Sequence, residues 1–252
     1  MQVLLAPSKT MTMKYALPKG CEATAPHFMV DARRIVDAIR NQTDIATLMH
    51  VSDAIANDVR VLYGKWGNDQ APALYAYKGD VYRWFFAETL SRNDLEWAQA
   101  RLFILSGLYG VLRPLDLVSP YRLEMKTKLS IKGSRDLYDF WGTRIAQYVD
   151  RNDDALLCNL SSDEYAKVIT KWTRKRIVTP VFLDNKNNGT VGTVPIYSKM
   201  MRGVMARWII DHRVESPDEL ASFESQGYSY DAARSTCNTP VFYRSTPKPI
   251  RF

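Results

Sequence analysis

The sequence predicts a mixed α/β (α+β) fold: a central mixed sheet flanked by helices, in a single domain over residues 1–252. Three observations predict it. Short apolar runs of strand length, Val3–Leu5, Leu102–Leu105 and Ala155–Cys158, are interleaved with segments whose apolar residues recur at helical spacing. Each of those runs ends in a small polar loop, as strands do before a crossover. No internal repeat, low-complexity tract or linker divides the chain, so one domain is the simpler reading.

The elements follow in order. Val3–Leu5 is ended by Ala6-Pro7 and opens into Ser8-Lys9-Thr10. Val30–Ile39 reads as a helix, and Ser52 caps a second reaching about Leu62. Leu74–Tyr77 reads as extended and leads into Lys78-Gly79-Asp80, where Asp80 is placed to cap an aromatic-rich helix. Ser91 starts a helix ending near Ala100, followed by the strand Leu102–Leu105. Residues 106–133 form a long irregular stretch. Loops of that length inside domains are functional or disordered, and the Leu, Tyr and Val content here argues against disorder. Asp136–Val149 reads as a helix and Ala155–Cys158 as a strand, after which Ser161 or Ser162 caps the next helix. Ile177–Leu183 reads as a strand, Asn187-Asn188-Gly189 as a turn, and Val191–Tyr197 as its hairpin partner. A basic amphipathic helix closes the series from Ser198 to about His212.

Composition narrows the class. Cys21, Cys158 and Cys237 are odd in number and far apart, which gives neither a disulfide framework nor a zinc pattern. The N-terminus has no secretory pattern and no apolar run reaches bilayer length, so the expectation is a cytoplasmic protein with no membrane partner. The net charge is +7, and the excess lies entirely after residue 100. Lys167, Lys171, Arg174, Lys175 and Arg176 form a run without an acid, while Arg113, Arg122, Lys126, Lys128, Lys132 and Arg135 meet only Asp116 and Glu124. Such clusters attract polyanions, and equally they keep a basic protein solvated.

Three strand exits, at Ser8-Lys9-Thr10, Ser106-Gly107 and Asn159-Leu160-Ser161-Ser162, point to a site. In α/β sheets ligands bind beyond the carboxyl ends of strands, where free backbone N–H groups meet anions. If the exits are neighbours, they make one pocket from Ser8, Lys9, Thr10, Asp80, Ser106, Tyr121, Asn159 and Ser161, closed by Lys199 or Arg202. Each Ser or Asn taken alone is as well explained by helix capping. His27, His50 and His212 are isolated, with no second ligand at metal spacing, so no metal and no cofactor is expected. Proton transfer would fall to Lys, Tyr, Asp or Glu, with Lys9, Asp80 and Glu124 as the catalytic candidates.

The stretch Leu105-Ser106-Gly107-Leu108-Tyr109-Gly110-Val111-Leu112-Arg113-Pro114-Leu115-Asp116, continued by Pro120-Tyr121-Arg122-Leu123-Glu124-Met125, resembles the signature of the YaaA family of bacterial peroxide-stress proteins. Ala6–Thr10, Lys78–Tyr82, Leu137–Gly142, Asn159–Tyr165, Arg202-Gly203 and Gly227-Tyr228 extend the resemblance over nearly the whole chain. The resemblance implies a cytosolic protein that limits free iron and oxidative DNA damage, binding DNA through a positively charged cleft with a helix-hairpin-helix element. Gly107-Leu108-Tyr109-Gly110 fits such a hairpin, because glycine lets backbone N–H groups approach a phosphate. On that reading Gly107, Tyr109, Gly110, Arg113, Arg122, Lys126 and Lys128 contact duplex DNA without sequence specificity. The alternative is an enzyme acting on a nucleotide, nucleobase or damaged base in the strand-exit pocket. A concave cleft of mixed charge favours that alternative, and a flat basic surface favours plain DNA binding.

Overall fold

A computed structural model describes residues 1–151, 154–186 and 189–246. The chain opens with β1 (Gln2–Leu5), buried along its whole length. Then come α1 (Met29–Arg40), α2 (Ile45–Met49) and α3 (Asp53–Gly64), the last capped by the Ser52 hydroxyl, which accepts from the Ile55 N–H. Next are β2 (Ala71–Pro72), the one-turn helices α4 (Ala73–Ala76) and α5 (Asp80–Arg83), and α6 (Arg92–Arg101). Ser91 and Asp94 form a reciprocal capping box at the start of α6, two orphan donors satisfied by two side chains. β3 (Leu102–Ser106), β4 (Gly110–Leu112) and β5 (Leu117–Val118) lead to α7 (Leu137–Trp141), α8 (Arg144–Val149), β6 (Leu156–Asn159) and α9 (Asp163–Thr170). The remainder is β7 (Arg176–Val178), β8 (Val181–Asn185), β9 (Val191–Gly192), α10 (Pro195–His212), β10 (Ser229–Tyr230) and β11 (Val241–Arg244).

The mixed α/β class holds. The central sheet has the order β4-β3-β1-β6-β7, parallel except for β4. Its middle strand pairs on both sides at once, Val3 standing opposite Leu102 and opposite Cys158. Such a strand has no solvent face, which is why it reads as an unbroken apolar run. A second sheet, β10-β11-β8-β9, is tied together by a buried ion pair: Arg244 Nε donates to Asp184 Oδ1 at 2.7 Å, and the Tyr228 hydroxyl donates to Asp184 Oδ2 at 2.7 Å. A two-stranded β2-β5 ribbon completes the sheets. One cluster of buried apolar residues runs from Met1 to Phe242.

Several sequence expectations need correction. Leu74–Tyr77 is not extended: Ala73–Ala76 is a helical turn, and only Tyr77 is extended, bridging Met11. All four residues of α4 are buried, so no alternation exists to be read. The 106–133 stretch is less irregular than expected, since it holds β4 and β5. Gly107–Gly110 joins two antiparallel strands, Ser106 facing Gly110, and is therefore the turn of a β-hairpin rather than of a helix pair. The pair of helices about a short turn is α4 and α5, either side of Tyr77-Lys78-Gly79. Asp136–Val149 is two helices, because the chain breaks at Gly142 with φ at 49°. Ile177–Leu183 is two strands in two sheets, since Pro180 has no N–H to continue the ladder and the Thr179 N–H donates instead to the Asn238 carbonyl. Of Val191–Tyr197 only Val191-Gly192 pairs back, and Pro195 starts α10 three residues before the expected Ser198. Asn187 and Asn188 of the expected turn lie outside the described residues. Asp80 is the first residue of α5 and not its cap, which is Gly79; Ser162 precedes α9 without a side-chain cap bond.

Candidate functional site

Because β1 runs parallel to both β3 and β6, the carboxyl ends of all three strands lie on one edge of the sheet. A cleft of about 460 Å³ opens there. Its walls are the β1 exit (Ala6–Thr10), the α5 turn (Gly79–Tyr82), the segment Tyr121–Glu124 with Lys126, the β6 exit (Leu160, Ser162) with Glu164 and Tyr165 of α9, and Lys199 and Arg202 of α10. Two glycines allow these walls to meet. A Cβ on Gly203 would lie 2.0 Å from the Val81 carbonyl oxygen, so only glycine lets α10 rest on α5. A Cβ on Gly107 would lie 2.8 Å from the Leu123 carbonyl, so the β3–β4 turn holds the segment carrying Glu124 by direct backbone contact.

The cleft is layered. Lys9, Lys126 and Lys199 are exposed at the rim. Below them Asp80, Arg122, Glu124, Ser162, Glu164 and Arg202 are half-buried, and Tyr82, Tyr121 and Tyr165 are buried in its walls. Glu124 binds two cations at once, Lys9 on Oε1 and Lys126 on Oε2, the latter at 3.1 Å. Burial pushes the Glu124 carboxyl up, yet hydrogen bonds from the two lysines outweigh it and hold the group below its ordinary range. The same contact holds the Lys126 ammonium above its ordinary range. Among the described residues Arg122, Lys199 and Arg202 have no carboxylate ion-pair partner. Burial lowers the Arg202 guanidinium, with Asp163 opposing.

The hydroxyls of Tyr82 and Tyr121 are engaged within the protein. The Tyr82 hydroxyl donates to the Ala6 carbonyl at 2.8 Å. The Tyr121 hydroxyl shares hydrogen bonds with the Tyr77 hydroxyl at 2.8 Å and with Ser106 Oγ at 2.7 Å. The Met125 backbone lies beside the Tyr165 hydroxyl and partly opposes the rise that burial gives it. Burial pushes Tyr121 up to about 12 and raises Tyr82 and Tyr165 as well. These side chains therefore give the cleft apolar ring surface, and ionisable chemistry inside it falls to Asp80, Glu124, Glu164 and the cations.

The residues singled out from sequence divide accordingly. Ser8, Lys9, Thr10, Asp80, Tyr121, Arg122, Glu124, Lys126, Lys199 and Arg202 line the cleft together. Ser106, Asn159 and Ser161 do not reach it. Ser106 is sealed behind Tyr121 and also accepts from the Tyr109 N–H, and Ser161 donates to Asn159 Oδ1 at 2.7 Å. Gly107, Tyr109 and Gly110, expected on a duplex, are buried. Tyr109 Oη accepts from Trp66 Nε1 and from the Ser119 N–H, and Gly110 packs on Trp141. No phosphate can approach them. Arg113 sits apart beside buried Asp116, and Lys128 is exposed outside the cleft lining. Sequence reasoning missed Tyr82, Glu164 and Tyr165 as cleft residues, although they belong to the Lys78–Tyr82 and Asn159–Tyr165 motifs, and named Ser162 only as part of a strand exit.

The sequence profile of a protein family described as peroxide stress protein YaaA matches residues 1–234. Among curated proteins, a UPF0246 protein of Aliivibrio fischeri strain MJ11 is 43% identical, over 97% of this chain and 98% of its own. UPF0246 proteins of Laribacter hongkongensis and Shewanella oneidensis are each 41% identical, over 97% of this chain and 99% of theirs.

Proposed function

Since the chain belongs to the peroxide stress protein YaaA family, we propose that it serves peroxide stress by binding DNA, with the rim of the strand-exit cleft as its phosphate-contacting surface. The observation that carries this reading is the convergence of Lys9, Arg122, Lys126, Lys199 and Arg202 on one cleft against only three carboxylates, Asp80, Glu124 and Glu164. Phosphate contacts of this kind release counterions and give affinity without sequence specificity. The glycine turn at 107–110 has no part in it. DNA covered by the protein is protected from iron-dependent oxidation, which is how this reading accounts for limiting oxidative damage. No helix among the described residues is long and apolar enough to cross a membrane.

Fluorescence anisotropy with a labelled duplex over a salt series tests the proposal. The wild-type protein loses affinity linearly in log salt. A Lys199→Ala, Arg202→Ala double variant has a slope shallower by about two, one per phosphate contact removed. Affinity indifferent to salt, or an unchanged slope in the double variant, overturns the assignment of the cleft rim.

A further inference from the structure

The cleft is too small for a duplex and lies within the roughly 300–1,000 Å³ range of small-ligand sites. Its chemistry is also divided in a way that a polyanion-binding groove does not require. The rings of Tyr82, Tyr121 and Tyr165 supply apolar walls: the hydroxyls of Tyr82 and Tyr121 are already bonded to the protein, and Tyr165 is buried. Arg122, Lys199 and Arg202 line the same cavity without a carboxylate partner among the described residues, although Arg122 and Arg202 are half-buried. A half-buried guanidinium without a counter-anion is costly unless an anion completes it. Lys9 and Lys126, although exposed, are drawn to the two oxygens of a single carboxylate. Those two oxygens are separated much as two phosphate oxygens are, so the lysines already stand where a phosphate needs them.

We propose that the cleft seats one nucleoside phosphate, its base against the tyrosine walls and its phosphate taking Lys9 and Lys126 from Glu124, which fills the anion position in the free protein. The inference rests on the reading of the cleft as the working site and names its occupant. A phosphate carries more charge than a carboxylate and has more acceptor oxygens, so it wins the two ammonium groups while Arg122, Lys199 and Arg202 offset its remaining charge. The ligand needs both parts: a flat apolar ring for the walls and an anion for the cations. A nucleoside or inorganic phosphate alone meets half of the requirement. The same chemistry arises from a free nucleotide and from one nucleotide extruded from a strand.

Calorimetric titration of the full chain with 2′-deoxyadenosine 5′-monophosphate, deoxyadenosine and inorganic phosphate tests this. The monophosphate is expected to bind with unit stoichiometry, at least about tenfold more tightly than either fragment, since two sets of contacts are joined in one molecule. Glu124→Gln, which removes the competing anion, tightens the monophosphate and inorganic phosphate severalfold, whereas Lys9→Ala weakens both. Lys171→Ala, at the C-terminal end of α9 and outside the cleft lining, serves as the control. Inorganic phosphate binding as tightly as the monophosphate overturns the proposal, as does weaker monophosphate binding in a Glu124→Gln protein whose urea midpoint matches wild type. A duplex with one unpaired nucleotide, compared with a fully paired one, separates the sources. Preference for the unpaired duplex, with displacement by the monophosphate, assigns the ligand to the strand; monophosphate binding without that preference assigns it to the free pool. Both outcomes support the site. Loss of salt-dependent duplex binding with the monophosphate retained removes the DNA reading alone. Duplex binding without monophosphate binding removes this inference alone.

Discussion

At the scale of single residues, the side chain that bears most directly on peroxide is Cys158. It sits on β6 with no exposed surface, and burial pushes its thiol up to about 12. Peroxide attacks the thiolate, so a thiol held protonated in an apolar strand is protected twice, by charge and by access. Cys237, in contrast, is exposed. Mass spectrometry after a short hydrogen peroxide pulse on the native protein should find Cys237 oxidised and Cys158 intact; comparable oxidation at both would show that β6 opens far more readily than its packing implies. Residues are also where the sequence was most and least informative. Ser8, Lys9, Thr10 and Asp80 were legible as lining residues of the candidate cleft, because a polar group after a buried strand or before a short helix has few reasons to be there. Tyr82 and Tyr165 were not. An aromatic residue in a one- or two-turn helix reads as core, and these are buried in fact; what the sequence does not contain is that the buried ring also forms a cleft wall. Ser106 and Asn159 failed for the opposite reason, as polar groups at a strand exit whose hydrogen bonds are all satisfied inward.

At the scale of elements, the packing of α10 on α5 sets the width of the cleft, since Lys199 and Arg202 stand on one helix and Asp80 and Tyr82 on the other. Gly203→Ala places a methyl group 2.0 Å from a backbone oxygen that has no rotamer with which to retreat. The helices must part, at a cost typical of overpacking, about 1–3 kcal/mol. Urea denaturation should show that loss, and duplex affinity should fall with it although no ligand-contacting atom has changed; a variant of wild-type stability would mean that α10 has room to slide. Elements with a surface were legible in sequence: α3 and α6 announce themselves through Ser52 and Ser91, whose hydroxyls cap them. Elements without one were not. α4 is buried on every side, and β7 and β8 are both strands, so only Pro180 between them hints that they belong to different sheets.

At the scale of the molecule, the second sheet is held by a charge cluster inside its own core. Asp184 of β8 takes Arg244 of β11 and the Tyr228 hydroxyl, with the guanidinium also over the rings of Tyr197 and Tyr228. Arg244 and Asp184 are 3% and 1% exposed, so the pair is screened from water. Asp184→Ala leaves a buried guanidinium without its carboxylate and should cost about 3–5 kcal/mol, read as a lower urea midpoint; a loss under about 1 kcal/mol would mean that water reaches the cluster. Which sheet each strand joins was beyond the sequence, because strand order depends on crossovers that local periodicity does not encode.

That order has a consequence in time. β1 precedes both of its partners in the chain and is the middle strand of the sheet, and Gln2 finds its partner only at Leu157. On the ribosome, β1 must therefore wait, unpaired on at least one edge, until more than half of the chain has emerged. Lys9 meets Lys199 and Arg202 later still. That early loop is among the last to find its place, so a nascent chain released before α10 carries Lys9 without the cleft, and one released before β6 carries an apolar strand left open along one edge.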